Sequence, residues 1–195
     1  MRYTTQETLF CNNDILIQRA HLNGKSETVI LKSLVSEQPP KGLMQQFLLE
    51  KEIAKKFHHP NITTLLDYQE HNNIPFLVFE DQKMVSLQHY SKLQTQRCLP
   101  IQDFLVIAVQ IADALSVIHH AHVIHKNLSP ENIYIHPKSL KVQISGFGFA
   151  SLLTREQPSL SSPEKFEGQL PYISPEQTGR MNRAIDYRSD FYTLG

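Results

Sequence analysis

Hydrophobic positions alternate with polar ones through much of the first third of the chain. Ile15 to His21 and Thr28 to Leu34 read as strands flanking Asn23-Gly24, a dipeptide that signals a two-residue hairpin. In the second strand Val29 and Leu31 face one way, and Ile30, Lys32 and Leu34 the other, which puts Lys32 on a mainly apolar face. After Pro39-Pro40 the period becomes helical, over roughly Leu43 to Phe57. Leu43, Phe47, Ala54 and Phe57 share one stripe and Glu50 falls within it; a carboxylate there needs a partner. His59-Pro60 ends the helix. Ile62 to Tyr68 and Ile74 to Glu80 read as two further strands.

The second part changes character. Ile101 to about His120 is an amphipathic helix, with Phe104, Ala108, Ile111, Leu115 and Ile118 at three- and four-residue steps and Pro100 at its start. Short strands follow at Ile133–Ile135 and Lys141–Ile144. Strands first and helices later predict an α+β fold. The expected division is an N-terminal lobe over 1–81 and a mainly helical C-terminal lobe over 82–195.

Composition changes this picture little. At 195 residues, 41% hydrophobic and 19% charged, the chain has the make-up of a globular protein with one core or two small lobes. A net charge of zero gives no general attraction to nucleic acid or anionic membrane. Cys11 and Cys98 form neither a disulfide framework nor a metal-ligand pair. The start MRYTTQETLF lacks a basic-then-apolar leader, so a cytoplasmic location is expected. The richest apolar stretch is interrupted by Gln110, Asp113 and Ser116, and no membrane insertion is expected.

The candidate chemistry centres on HKNLSPENI, His125 to Ile133, a polar loop feeding a strand. Its third position, where an acid or base is expected, holds Asn127, and an amide takes no proton near neutral pH. The order of motifs is informative. VILK (Val29–Lys32), a helix glutamate, HHPNI, FLVFED (Phe76–Asp81), IHHAHVIHKNLSPENI, VQISGFGFA, LPYISPEQ and RSDFYTLG follow one another. This succession resembles the eukaryotic-type Ser/Thr protein kinase fold across almost the whole chain. The tail from Ser174 resembles the kinase-like domain that opens large bacterial signalling proteins, ahead of an ATPase-like module and a sensor histidine kinase.

The resemblance implies a bilobal kinase-like fold, with ATP and Mg²⁺ as cofactors. Lys32 matches the strand lysine that holds the α/β-phosphates, and Glu50, nine positions before His59, matches its helix partner, with Glu52 as the alternative. Read singly, Lys32 is a snorkelling strand lysine and Glu50 a solvated helix residue. Phe79 matches the back of the adenine pocket and Glu80–Gln82 the hinge; Ile30 stands where alanine is common and narrows the slot. Asn132 matches a metal ligand and His125 a structural brace of the loop. Asp190 matches an aspartate that buttresses the loop, and Glu176 a glutamate paired with a later arginine.

The departures imply impaired chemistry. The phosphate-covering loop falls at Phe10–Asp14, FCNND, before Gly24, the first of the seven glycines. Gly146 replaces the metal-binding aspartate, Asn127 the catalytic one, and Ser129 a common lysine. The expectation is a pseudokinase with weak or no Mg-ATP binding, the alternative an active ATP-dependent Ser/Thr kinase. Gly195 falls inside an apolar helix, so a fragment, or a module joined to a protein partner or to the remainder of a larger signalling protein, is expected. The grouped His119, His120, His122 and His125 lack a nearby cysteine and read as structural rather than zinc-binding. Thr154, Ser161 and Ser162 read as exposed hydroxyls or phosphosites.

Overall fold

The computed structural model describes residues 2–24, 26–93, 99–152, 170–178 and 183–195; Thr154, Ser161 and Ser162 lie outside them. The chain divides into two compact units, Met1–His58 with Thr63–Lys83, and His59–Ile62 with Met84–Gly195. The first holds a five-stranded antiparallel sheet in the order β1-β2-β3-β5-β4. Its elements are β1 (Tyr3–Cys11), β2 (Ile15–Leu22), β3 (Thr28–Leu34), helix α1 (Lys41–Ala54), β4 (Leu65–His71) and β5 (Ile74–Glu80). One face buries Tyr3, Ala20, Val29, Leu31, Phe76 and Val78, with Tyr3 edge-on to Phe76 at 6.2 Å. Helix α1 buries Phe47, Glu50, Ile53 and Ala54, and its Lys51 ammonium lies over the Tyr68 ring of β4.

Three local features differ from the sequence expectation. Strand β1 carries no period-two signal because eight of its nine residues are exposed; it is an edge strand with two register shifts, which blunt further pairing. The β2–β3 ladder closes at His21 and Thr28, so the connection around Asn23-Gly24 is longer than two residues. The tight two-residue turn is instead Asn72-Asn73, with φ of 51° and 61° between the paired His71 and Ile74. Asparagine tolerates the left-handed conformation such a turn requires at both positions. Strand β4 starts at Leu65 rather than Ile62 because Ile62 serves the second unit, bridging Ile144 while Asn61 O accepts from Ile144 N at 2.9 Å.

The second unit contains β6 (Val85–Ser86), α2 (Leu87–Leu93), α3 (Ile101–His120), β7 (Ile133–Ile135), β8 (Val142–Ile144) and α4 (Arg188–Leu194). Its three short strands pair antiparallel in the order β6-β7-β8. Helix α3 packs on β8 and buries Ile107, Ile111, Ala114, Leu115 and Ile118. Phe104, expected on that stripe, is 50% exposed. A three-residue strand spans ~10 Å and a twenty-residue helix ~30 Å, so the strands cannot cover the first turns of α3. By length and composition alone α3 could cross a membrane, despite its polar interruptions. Gln110 is fully engaged inside the unit. Its Oε1 accepts from Asn61 Nδ2 and Val142 N, and its Nε2 donates to Val106 O and Leu140 O, at 2.8–3.0 Å.

Candidate functional site

In the first unit β3 and α1 bring Lys32 and Glu50 together. Lys32 Nζ lies 2.6 and 2.8 Å from the two Glu50 carboxylate oxygens. Strand alternation puts Lys32 on the sheet face opposite Val29 and Leu31, and helical spacing puts Glu50 on the buried stripe of α1. Glu52 lies off that stripe, exposed, and pairs with Lys51. Phe79 is buried on β5 directly opposite the half-buried Ile30. Glu80 donates its backbone N–H to Thr64 O at 3.0 Å and accepts from Gln82 Nε2 at 3.0 Å.

Beside them is a cluster that sequence reasoning missed. The Asp81 carboxylate accepts from Arg19 Nε (2.7 Å), Thr28 Oγ1 (2.6 Å), Lys83 Nζ (2.7 Å) and the Lys83 backbone (2.9 Å). Arg19 also pairs with Glu7 on β1. Burial raises the Asp81 pKa, but the hydrogen bonds from Lys83, Thr28 and Arg19 outweigh it and hold the carboxyl at about 2. The cations come from β2 and the segment after β5, so only strand pairing reveals the set.

The loop between β1 and β2 is closed on itself. Asn12 Oδ1 accepts from Asp14 N (2.9 Å) and Ile15 N (2.7 Å), and Asn12 N donates to Ile15 O (3.0 Å). Backbone amides that a phosphate would need are thus taken up by an asparagine side chain two and three residues earlier.

In the second unit the loop after α3 is held from several sides. Asp190, buried on α4, accepts from His125 N (2.9 Å) and Lys126 N (2.8 Å), and its Oδ2 also lies 2.8 Å from His119 Nε2. The His119 ring packs against Tyr187 and Phe191, which also contact each other. Lys126 has φ of 63°, and its carbonyl accepts from Gln177 Nε2 at 2.9 Å. His125 is fully buried against Phe147. Its Nδ1 accepts from Asn127 N, which leaves Nε2–H to donate to Ser145 O at 3.0 Å. Glu176 is buried and accepts from Ser189 Oγ at 2.6 Å. Ser129 Oγ is a buried side-chain oxygen with no hydrogen-bond partner among the described residues.

Asn132 and Gly146 lie side by side. Asn132 Nδ2 donates to Asn127 O at 2.8 Å, and Ser145 N to Asn132 O at 2.9 Å. Gly146 is left-handed, with φ 86° and ψ 44°.

A model of the protein kinase domain matches residues 16–195. The chain belongs to the protein kinase domain family. The serine/threonine-protein kinase ULK3 of Xenopus laevis is 29% identical over 170 residues, 87% of this chain and 35% of that protein. The probable serine/threonine-protein kinase pknA2 of Bifidobacterium longum is 30% identical over 152 residues, 78% and 19% respectively. The serine/threonine-protein kinase pkn3 of Myxococcus xanthus is 30% identical over 189 residues, 91% and 33%. This kinase domain therefore spans about a third or less of the length of these relatives.

Protein kinase domains use ATP with Mg²⁺, and the residues present fit the two unequally. Lys32, fixed by Glu50, suits a phosphate. Of the two magnesium positions, Asn132 offers a neutral amide oxygen and residue 146 has no side chain, whereas Mg²⁺ favours carboxylates.

Proposed function

We propose that this kinase-fold domain is a pseudokinase, a non-catalytic scaffold or allosteric partner in signalling that lacks Mg²⁺-dependent phosphoryl transfer. The observation that carries the reading is the Asn132–Gly146 pair. The carboxylate is missing at 146, and a Cβ there would meet the Asn132 carboxamide. Asn127 supports it, because loss of a general base alone costs ~10²–10⁴-fold in rate. The self-closed Asn12 turn supports it a third time, since catalysis of phosphoryl transfer is mostly positioning and charge neutralisation. Lys32 with Glu50 leaves a cationic anchor for a nucleotide without a metal.

Thermal unfolding of the whole chain, titrated with ATP with and without Mg²⁺, tests the proposal. Weak stabilisation that ignores Mg²⁺ is the expected result. A large stabilisation that needs Mg²⁺ overturns it.

The formed Lys32–Glu50 pair favours a second reading, an active Ser/Thr kinase that transfers the γ-phosphoryl group of ATP to a protein hydroxyl. Its mark is transfer of radiolabelled phosphate that disappears in Lys32→Ala; transfer no higher than background removes it.

A further inference from the structure

We propose that Asn23-Gly24 is a self-modifying site, where the Asn23 carboxamide converts to a carboxylate without an enzyme. Asn23 is the only asparagine of the chain that precedes a glycine. Both residues are exposed in the connection that follows the His21–Thr28 pair, outside the β2–β3 ladder. Gly24 has φ of 82°, and nothing lies within 4 Å of where its Cβ would be. Its nitrogen is therefore screened by no side chain of its own, and the backbone has room to bend toward Asn23 Cγ. Thr4 Oγ1 donates to Asn23 Oδ1 at 2.6 Å, and Asn23 N donates to Arg2 O at 3.0 Å. The hydroxyl draws charge from Cγ and stabilises the oxyanion that forms there on attack. Gly24 N, having lost its proton to hydroxide, bonds to Cγ. The Cγ–Nδ2 bond then breaks, and Nδ2 takes a proton from water and leaves as ammonia. Water opens the resulting succinimide at either carbonyl, giving an aspartyl or an isoaspartyl residue. Neither route changes any oxidation state. The isoaspartyl form adds a methylene to the main chain, which a connection outside the ladder can absorb. The chain, neutral before, gains one negative charge. Asn12 lacks this setting: its Oδ1 accepts from the backbone amides of Asp14 and Ile15, and Asn13, with a Cβ, follows it.

Incubation of the full 195-residue chain in mildly alkaline buffer tests it, with peptides mapped by mass and chromatography. The expected product carries the mass change of amide to acid at residue 23, splits into two separable isomers, and accumulates faster there than at any other asparagine. Gly24→Ala is expected to slow it roughly tenfold. Thr4→Val is expected to slow it by roughly three- to tenfold, the worth of one hydrogen bond. Thr4→Ser, which keeps the hydroxyl, is expected to retain the parent rate. In urea the difference between Thr4→Val and the parent should vanish, because the hydroxyl no longer meets Asn23. Conversion at 23 no faster than at Asn12 overturns the proposal, as does a folded-state rate that Thr4→Val leaves unchanged or raises. No readout involves nucleotide or metal, so the pseudokinase reading stands or falls separately.

Discussion

Lys32 and Glu50 bond each other inside a single unit, so their interaction is a stability element before it is a nucleotide site. Removing the ammonium leaves the Glu50 carboxylate on the buried face of α1 without its cation. Lys32→Ala should lose about 3 kcal/mol in urea unfolding with no nucleotide present. Replacing both residues together, Lys32→Met with Glu50→Leu, should recover most of it. Asp190 is a second such residue. Two backbone amides and an imidazole converge on its carboxylate, and Asp190→Ala strands buried donors, for a loss of about 3 kcal/mol in the same measurement. All three residues were legible in the sequence, Lys32 and Glu50 from periodicity with motif order and Asp190 from resemblance. The resemblance put Asn132 and Gly146 at the metal positions; the close approach of the Asn132 carboxamide to Gly146 was not legible, because residues fourteen apart become neighbours only when β7 and β8 pair.

Among the elements, those with an alternating or helical apolar pattern were readable. β3 and β5 match their expected bounds, as does α3. β1 was invisible because an edge strand exposed on both faces has no apolar alternation to show. Asn23-Gly24 misled because composition favours a turn but the strand register sets its length. The Asp81 cluster ties β2, β3 and the segment after β5, and it gives the first unit an acid limb. Its folded pKa of about 2 lies below the unfolded value of about 4, so the stability it contributes is full above that value and is lost as pH falls toward 2. Asp81→Asn should remove about 2 kcal/mol at pH 7 and flatten the urea-monitored stability profile between pH 4 and about 2. Asp186 contributes to the same window, held at about 2 chiefly by its hydrogen bonds from Arg188, so some acid sensitivity remains in that variant.

For the molecule as a whole, the uncovered part of α3 matters most. Ile101, Phe104, Leu105, Val106 and Val109 are all about half exposed or more, as is Tyr192 on α4. Such a surface should bind the dye ANS in the native state, and Leu105→Lys with Val109→Lys should lower that fluorescence without changing the unfolding midpoint by more than ~2 °C.

The placement of His59–Ile62 has a consequence for how this chain can be divided. The backbone passes between the two units three times, at 58/59, 62/63 and 83/84. A cut after Lys83 therefore does not yield one lobe and another. It leaves the second half without Asn61 and Ile62, the residues that bond Val142, Gln110 and Ile144. The first half would carry them as an orphan tongue. Complementary pieces made this way should regain structure only when mixed, with the tongue donated from one polypeptide to the other.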